Sequence, residues 1–516
     1  MEKSVKTKYA KVAAVATAAV VSLVISGCSP SSGGSPGDET APTELIYGLQ
    51  QSPVGGFDPG NWAYTTYAPI EQAAYETLLH ANTDGGFDPA LATEWGWESP
   101  ELFTLSLREG ATFTDGEVFD AEAVKTNLEH YKVAQGRSAA QLQPIESVEV
   151  VGEYEIAIHL AEPQPDMPLI LSQNMGMMIS PAAIASPDQL LTEPVGAGPY
   201  ILDAARSVTD DTYTFTKNPH YWNADAIEFD TMVFKIFSDG QAAFNALQSG
   251  QVDLTFGTSE NLEAATGTGL SIDEAPGTLV NIQIVDMAGD EVPALGDVRV
   301  RQALNYAIDR DAIVESLQPG RATPQVWHSA GEAYDPSLED YYPYDPEEAK
   351  RLLKEAGYED GFTFKMNNHP LMQTVAQAIA GYLADVGVTL EIIVQPTVAE
   401  FVSDGIAGTY PTILAPNVSQ SASIDIQNLL LPDGGKNSRG SEDPEITRLY
   451  DVAASMSPED RASEYHKIAQ IVLDDAWFVG IAQATSYTFY NGDEVEGLQT
   501  PVGHIIPMIY GLGPVN

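Results

Sequence analysis

The sequence has a single cysteine, Cys28, and few basic residues. A lone cysteine excludes an internal disulfide framework and a multi-cysteine metal site. The 24 Lys and Arg residues stand against 73 Asp and Glu residues, which gives a net charge of −49. A field of that sign repels nucleic acid and anionic lipid surfaces, so neither is expected as a partner. It could favour cationic ligands, but the acids are spread along the chain, which favours a surface adapted to salt or to a charged cell envelope.

Long hydrophobic runs are also absent, apart from one that ends just before the cysteine. Four lysines within residues 1–11 precede the apolar run of residues 12–25, and the small residues Ser26 and Gly27 follow it. A charged start, an apolar stretch and small residues at the cut are typical of a secretory signal peptide. The run is too short to span a membrane comfortably, since a spanning helix needs about 20 residues.

The stretch Ile25-Ser26-Gly27-Cys28 resembles the lipobox of bacterial lipoproteins, whose cysteine is lipidated and becomes the mature N-terminus. We therefore predict a lipoprotein signal peptide at residues 1–27 and a lipidated Cys28, which leaves no thiol for catalysis. The alternatives are an ordinary signal peptide with an incidental cysteine, or a transmembrane anchor. The mature chain would carry 20 basic and 72 acidic residues, a net charge of −52.

Residues 28–42 contain Ser, Gly and Pro with almost nothing to bury, which predicts a flexible tether between lipid and folded body. We expect the protein to act outside the cytoplasm. The lipid would hold it at the outer face of the cytoplasmic membrane or in the periplasmic space, and the membrane would be contacted through that anchor only.

Motifs that carry catalysis are missing as well. The mature chain has no G-x-S-x-G, H-E-x-x-H or S-x-x-K motif and no phosphate-binding glycine loop. Its eight histidines are scattered, with no pair four residues apart. We predict no enzyme activity, no cofactor and no metal site. An exported lipoprotein hydrolase acting on glycans or peptides is the alternative from another class of protein.

Helical and strand patterns alternate along the rest of the chain, which predicts an α/β fold. Asp345, Asp297, Ser457 and Ser238 stand where helices are expected to begin. Short β-rich alternations predict strands at residues 45–47, 155–160, 212–216, 232–237, 280–284 and 390–394.

Residues 91–131 contain a recognisable scaffold pattern. It reads Leu91-Ala92-Thr93-Glu94-Trp95, Leu107-Arg108-Glu109-Gly110, Phe113 and Asp115-Gly116, followed by a helix. This resembles the signature of solute-binding protein family 5, the extracytoplasmic receptors of ABC importers for oligopeptides, dipeptides, nickel and some oligosaccharides. Further blocks match in the family's order: "PVGAGPY" (194–200) with "NPHYW" (218–222), and residues 244–254, 297–313, 344–362 and 443–481.

The resemblance implies a two-lobed periplasmic-binding-protein-like fold, with an extra subdomain in lobe I and a hinge that two strands cross. The candidate crossings are Leu279–Asp286 and Gln483–Tyr490. The implied boundaries are 43–77, 194–280 and 484–516 for lobe I, 78–193 for subdomain Ib, and 281–483 for lobe II.

It also implies the function of a substrate-binding component of an ABC importer. Such a protein captures a peptide or peptide-like solute outside the membrane, closes about its hinge and delivers the ligand to the permease subunits. We expect a monomer. A non-peptide ligand such as an oligosaccharide is the alternative within the same role.

The sequence departs from the family in one segment, residues 409–435. Peptide-binding members usually carry an aspartate in a Trp-rich acidic stretch, and it pairs with the amino group of the peptide. Here the segment has no Trp, and the position falls among Ser419, Gln420 and Ser421, with Asp425 the nearest carboxylate. A lost charge-assisted bond of this kind costs about 1.5–3 kcal/mol. With Asn417, the segment would also suit a neutral or N-blocked ligand.

Other ligand-binding candidates come from segments that line the cleft in the family. For each aromatic residue among them the alternative is packing in the core. They are Ser52, Val54, Gly55 and Phe57 after the first strand, Asn174 in the subdomain, Trp327 in lobe II, and Tyr487 near the second crossing.

Overall fold

The computed structural model describes residues 43–53, 55–62, 68–134, 136–419, 421–502 and 504–515. Cys28, the predicted signal peptide and the predicted tether lie outside these ranges. Within them, no helix combines the length and the apolar character that crossing a membrane requires.

Strands and helices alternate along the described residues, as the sequence predicts. The strands are β1 (Glu44–Leu49), β2 (Leu79–Ala81), β3 (Phe87–Pro89), β4 (Ala92–Ser99), β5 (Leu102–Leu107), β6 (Ile145–Gly152), β7 (Glu155–Leu160), β8 (Tyr200–Leu202), β9 (Thr212–Lys217), β10 (Thr231–Ile236), β11 (Leu254–Gly257), β12 (Ser271–Ile284), β13 (Gly320–Ala322), β14 (Phe362–Asn368), β15 (Val388–Val394), β16 (Thr412–Asn417), β17 (Phe478–Tyr490), β18 (Val495–Glu496) and β19 (Gly513–Pro514). The helices are α1 (Ala68–Ala74), α2 (Ala121–Lys132), α3 (Met167–Leu171), α4 (Pro181–Ile184), α5 (Gly240–Gln248), α6 (Leu262–Thr268), α7 (Val298–Tyr306), α8 (Arg310–Ser316), α9 (Pro346–Glu355), α10 (Gln373–Asp385), α11 (Val398–Ile406), α12 (Ala422–Leu429), α13 (Pro444–Ala454) and α14 (Pro458–Asp474).

Most helix starts follow the local sequence. Asp345 and Asp297 each accept a hydrogen bond from a backbone N–H in the first turn of the helix that follows them. The prediction that Ser238 caps α5 is wrong. Asp239 accepts the N–H of Ala242 at 2.8 Å, and the Ser238 hydroxyl donates to the Asp239 carboxylate instead. A carboxylate is the stronger acceptor for an unpaired N–H at a helix N-terminus.

One large sheet connects both halves of the molecule. Its strand order is β15-β14-β16-β12-β17-β11-β1-β10-β9-β8, and β13 also pairs with β17. The long strands β12 and β17 pair with each other in antiparallel fashion, and their register shifts between Pro276 and Leu279 and again between Val280 and Asn281. On one side of the first shift β17 pairs with β11, and on the other β12 pairs with β16. The two strands contain most of the predicted crossings. The first irregularity directly precedes the first crossing, and the second lies within it.

The apolar side chains form separate cores on the two sides of this strand pair. The first core draws on residues 45–254 and 495–512, and we call the part of the chain around it lobe I. Two further cores draw on residues 280–482, and we call that part lobe II. The antiparallel sheet β4-β5-β7-β6 lies in the region expected as a subdomain. Its apolar side chains join the same core as β1 and β10.

The family-like sequence blocks meet around a buried carboxylate in lobe I. The side chains of Tyr221 and Trp222, from the "NPHYW" block, both donate hydrogen bonds to Glu76, which is fully buried. The guanidinium of Arg108, from the first block, lies 3.7 Å from the centre of the Trp222 ring. These residues therefore hold the scaffold together, as expected from the sequence.

Candidate functional site

A cleft of about 1160 Å³ is lined by both lobes. Lobe I contributes residues from 138 to 173, lobe II contributes residues from 418 to 455, and residues 504–506 complete the wall. More than half of the lining residues carry polar side chains. The polar side chains are Ser138, Gln141, Gln143, Glu162, Gln164, Gln173, Asp425, Gln427, Asn428, Asp433, Lys436, Glu442, Thr447, Tyr450, Asp451, Ser455 and His504.

The cleft carries a negative charge. Among its described lining side chains, Lys436 is the one ammonium or guanidinium group, against five carboxylates: Glu162, Asp425, Asp433, Glu442 and Asp451. The Lys436 ammonium lies 3.3 Å from Asn417 Oδ1, at the end of β16. No group of three or more His, Cys, Asp or Glu suited to a metal ion occurs in the described ranges. The charge of the cleft therefore favours ligands with positive or hydrogen-donating groups.

Three of the predicted ligand-binding residues meet where β16 ends and α12 begins. The Ser419 hydroxyl donates to the Asp425 carboxylate, and Ser421 caps α12 by accepting the N–H of Ile424 at 3.1 Å. Asp425 is 7% exposed and lines the cleft. A carboxylate thus lies in the wall, six residues after Ser419. Asp425 lies about one helical turn after the cap Ser421, so α12 brings its side chain back toward the end of β16, where it meets Ser419.

A second, small cavity of about 20 Å³ lies beside this junction. Trp327, His328, Ser419 and Ser421 line it. The Trp327 ring is 2% exposed and packs in a core of lobe II. Asn417 is the last residue of β16 and pairs with β12. The structure therefore brings Asn417, Ser419, Ser421, Asp425 and Trp327 into one region, and their contact with a ligand stays a prediction.

Of the candidates that follow the first strand, Ser52, Gly55 and Phe57 line neither of these two cavities. The Ser52 hydroxyl donates to Asp210 at 2.5 Å. Gly55 is exposed and has a φ of 82°. Phe57 packs in the core of lobe I, where aromatic surface is buried. Val54 lies outside the described residues.

Asn174 and Tyr487 also lie away from the two cavities. The Asn174 side-chain N–H groups donate to the carbonyls of Pro59 and Trp62, both at 3.1 Å. Tyr487 is buried and its ring stacks on Phe489 between β11 and β12. Both side chains stabilise the scaffold in this structure, and a contact of either with a ligand stays a prediction.

A segment of lobe I that the sequence did not single out reaches across to lobe II. It follows β7 and reads Pro163-Gln164-Pro165-Asp166. The Pro165 carbonyl lies 3.4 Å from a guanidinium nitrogen of Arg461 in α14. Arg461 also binds Glu332 through two hydrogen bonds, at 2.8 and 3.0 Å. The two prolines on either side of Gln164, shortly after β7, are the one sequence signal for this segment, because each proline restricts the backbone.

Asp166 is a buried carboxylate in that segment. It is 4% exposed, and its Oδ2 has no hydrogen-bond partner among the described residues. Burial raises the pKa of Asp166, while Arg461 and the hydroxyls of Ser423 and Ser421 oppose that rise. The segment therefore places an unsatisfied acceptor where the two lobes touch.

His504 lies in the part of the cleft wall formed by residues 504–506, and it is expected to make the stability of the fold depend on pH. Burial lowers the pKa of its imidazole to about 4, from an ordinary value of 6.5. Well above pH 6.5 the ring is neutral in both the folded and the unfolded state. As the pH falls, the unfolded state binds a proton that the folded state refuses, so stability decreases. We expect a loss of about 2 kcal/mol at pH 5 and about 3 kcal/mol below pH 4.

The measurement is the free energy of unfolding at pH 7.5 and at pH 5, for the protein and for His504→Gln. Carboxylates that titrate in this range affect both proteins equally, so the difference between them isolates His504. An identical change in both proteins would contradict the assignment.

Comparison with known proteins agrees with this architecture. The profile of bacterial extracellular solute-binding proteins, family 5 Middle, matches residues 86–437. A Brucella ovis protein described as an ABC transporter peptide-binding protein is 30% identical over 450 residues, 81% of each chain. The glutathione-binding protein GsiB of Salmonella paratyphi A is 28% identical over 347 residues, 65% of this chain and 66% of its own.

Among solved structures, HbpA2 from Haemophilus parasuis superimposes with a TM-score of 0.78 at 22% identity. The superposition covers 92% of this chain and 100% of that one. The likeness extends through both lobes and the strand pair between them. The chain belongs to the bacterial extracellular solute-binding proteins of family 5, the receptors of ABC importers.

Proposed function

We propose that this protein captures peptides or peptide-like solutes outside the membrane, delivers them to the permease of an ABC importer and catalyses no reaction itself. The observation that carries the proposal is the cleft of about 1160 Å³ between the lobes. Small-molecule pockets are typically about 300–1,000 Å³, so the space suits a ligand of several residues. The names of the Brucella and Salmonella relatives support a peptide ligand.

The lining of the cleft suits a peptide backbone. Side-chain amides of Gln164, Gln427 and Asn428 offer both donors and acceptors to peptide N–H and C=O groups. Asp425 adds a carboxylate from α12. Such groups bind any peptide backbone, whereas the side chains of the ligand would decide affinity.

Capture requires the lobes to close on the ligand. The register shift between Pro276 and Leu279 supports a hinge there. A side chain at Gly277 would place its Cβ 2.5 Å from Ser486 Oγ, so the two strands approach closely at this point. Contacts that a ligand makes with both walls exist only in the closed form, and they shift the population toward it. The permease then binds the closed form.

The N-terminal sequence supports attachment to the membrane through lipid on Cys28, with residues 28–42 as the tether. Mass spectrometry of the protein extracted from membranes should show an acylated N-terminal cysteine. An intact mass without acyl groups would contradict the anchor.

Blocking the cleft tests the binding function. Ser455 lies at its edge, exposed at the end of α13, and Ser455→Trp would fill the entrance. We expect at least a tenfold loss of affinity for a pool of tetrapeptides, measured by calorimetry. In the unaltered protein the pool should reduce the radius of gyration, because the lobes close. In Ser455→Trp we expect no such reduction.

Ser249→Trp is the matched control. Ser249 is also an exposed serine at a helix end, where its hydroxyl donates to a carbonyl four residues earlier, as Ser455 does. This variant should bind like the unaltered protein. Equal binding by both variants would contradict the cleft, and binding of oligosaccharides with no response to peptides would contradict the peptide ligand.

A further inference from the structure

The cleft has a hydrogen-bond acceptor in its wall that nothing in the described structure satisfies. Gln164 is 3% exposed and lines the cleft, and its Oε1 has no hydrogen-bond partner among the described residues. A buried amide oxygen that is left unpaired costs free energy, so a donor from outside the protein is favoured at this position. The acceptor also lies in a cleft whose described lining residues include one lysine and five carboxylates.

Asp166 lies two residues after Gln164, at the contact between the two lobes. The carboxylates there outnumber the guanidinium group that they face. Arg461 makes both of its short ion-pair contacts with Glu332, at 2.8 and 3.0 Å. Asp166 lies beside this pair as a second carboxylate, 4% exposed, with an unpartnered Oδ2. One guanidinium therefore faces two carboxylates.

The neighbouring donors cannot correct this imbalance. Ser421 and Ser423 approach Asp166 with neutral hydroxyls. The one ammonium or guanidinium group among the described lining residues, that of Lys436, lies beside Asn417 at the end of β16. An uncompensated buried carboxylate is costly, and it is stabilised by a cation or by a proton.

We propose that Gln164 and Asp166 form a seat for a protonated amine or guanidinium group of the ligand. The inference rests on the proposed peptide-binding function and narrows it to ligands with a positive charge. The charged group would donate to Gln164 Oε1 from the cleft and balance the charge of Asp166 when the lobes close on it. The group can come from a Lys or Arg side chain or from the amino terminus of the peptide.

The test measures binding of matched tetrapeptide pools to the purified protein by calorimetry. One pool has an alanine background with lysine at each position in turn, and a second has norleucine in its place. Each pool is used with a free and with an acetylated amino terminus. We expect at least a tenfold loss of affinity on replacing lysine if the seat takes a side chain. We expect the same loss on acetylation if it takes the terminus.

Variants connect that preference to the seat. The quantity compared is the ratio of the affinity for the charged pool to the affinity for its uncharged counterpart. In Asp166→Asn, which keeps the shape of the side chain, this ratio should fall from about tenfold to below about threefold. Gln164→Leu, which removes the acceptor without changing charge, should also lower the ratio. The double variant Asp84→Asn, Glu98→Gln removes two exposed carboxylates outside the cleft and should keep the ratio. A fall in the control as well would show a general effect of the protein's negative charge and overturn the seat.

Failure of the inference can be told apart from failure of the function. If all four pools bind with equal affinity, the protein binds peptides and the seat is overturned. A ratio that survives in Asp166→Asn also overturns the seat, because Asp166 is then protonated or satisfied without the ligand. If no pool binds, the peptide-binding function and the seat are both overturned.

Discussion

Gly198→Ala is expected to destabilise lobe I by at least about 4 kcal/mol, although it adds a single methyl group. Gly198 lies in the "PVGAGPY" block, where the chain packs on the end of α1. A Cβ at this position would lie 2.3 Å from the Ala74 carbonyl carbon and 2.5 Å from the Tyr75 nitrogen. Both are backbone atoms of a buried turn, so they cannot move aside as a flexible side chain would. The shift in the midpoint of chemical denaturation, followed by tryptophan fluorescence, measures the effect.

Gly267→Ala is the control, and its expected effect on the free energy of unfolding has the opposite sign. Gly267 lies within α6, and a Cβ there meets no atom within 4 Å. Alanine in a helix is favoured over glycine by about 0.5–1 kcal/mol, so this variant should be slightly more stable. A Gly198→Ala protein with an unchanged midpoint would show that the turn can relax and that the block does not need glycine for close packing.

Arg310→Met is expected to destabilise lobe II by about 3–5 kcal/mol. The Arg310 guanidinium is buried and donates to Gly480 O at 2.7 Å, to Tyr342 O at 3.0 Å, and to both the carbonyl and the side-chain oxygen of Asn305 at 3.0 and 2.8 Å. Methionine would fill much of the volume but leave four buried acceptors unpaired. The measurement is again the midpoint of denaturation followed by tryptophan fluorescence, to which Trp327 and Trp477 contribute from lobe II.

Arg448→Met separates this effect from the loss of a positive charge. Arg448 is more than half exposed and binds Glu445 one turn away on the same helix. An exposed ion pair contributes little, so the midpoint should stay where it is. Equal losses in the two variants would mean that charge, rather than the buried hydrogen bonds of Arg310, stabilises the lobe.

Features that depend on a few neighbouring residues could be predicted from the sequence. The caps Asp345 and Asp297 were predicted correctly, because a cap needs its own side chain and the next turn alone. Ser238 was a wrong choice between adjacent candidates, because the sequence does not say whether Ser238 or Asp239 faces the free N–H groups. The family blocks predicted the two-lobed α/β fold, since their glycines and buried charged residues are required by the packing itself.

Only those parts of the cleft that are formed by residues close together in the sequence could be predicted. Ser419, Ser421 and Asp425 come together because a strand end and a helix start bring neighbours into contact. Gln164 and Asp166 could not be predicted in the same way. The contact between their segment and lobe II joins residues 296 positions apart, Pro165 and Arg461. Such a pair depends on how two lobes meet, which no local pattern contains.

The pairing of β12 with β17 determines where the molecule bends most easily. Hydrogen bonds between strands resist shear along the pair, and the pairing is interrupted by two register shifts, between Pro276 and Leu279 and between Val280 and Asn281. If the lobes close as proposed, bending strain would concentrate between Pro276 and Asn281, with each lobe acting as a stiff lever. Because a lever magnifies a small rotation with its length, a few degrees of twist at this segment would displace the far surfaces of the lobes by several ångströms. A transporter that touches only those outer surfaces can detect an occupied cleft without reaching into it.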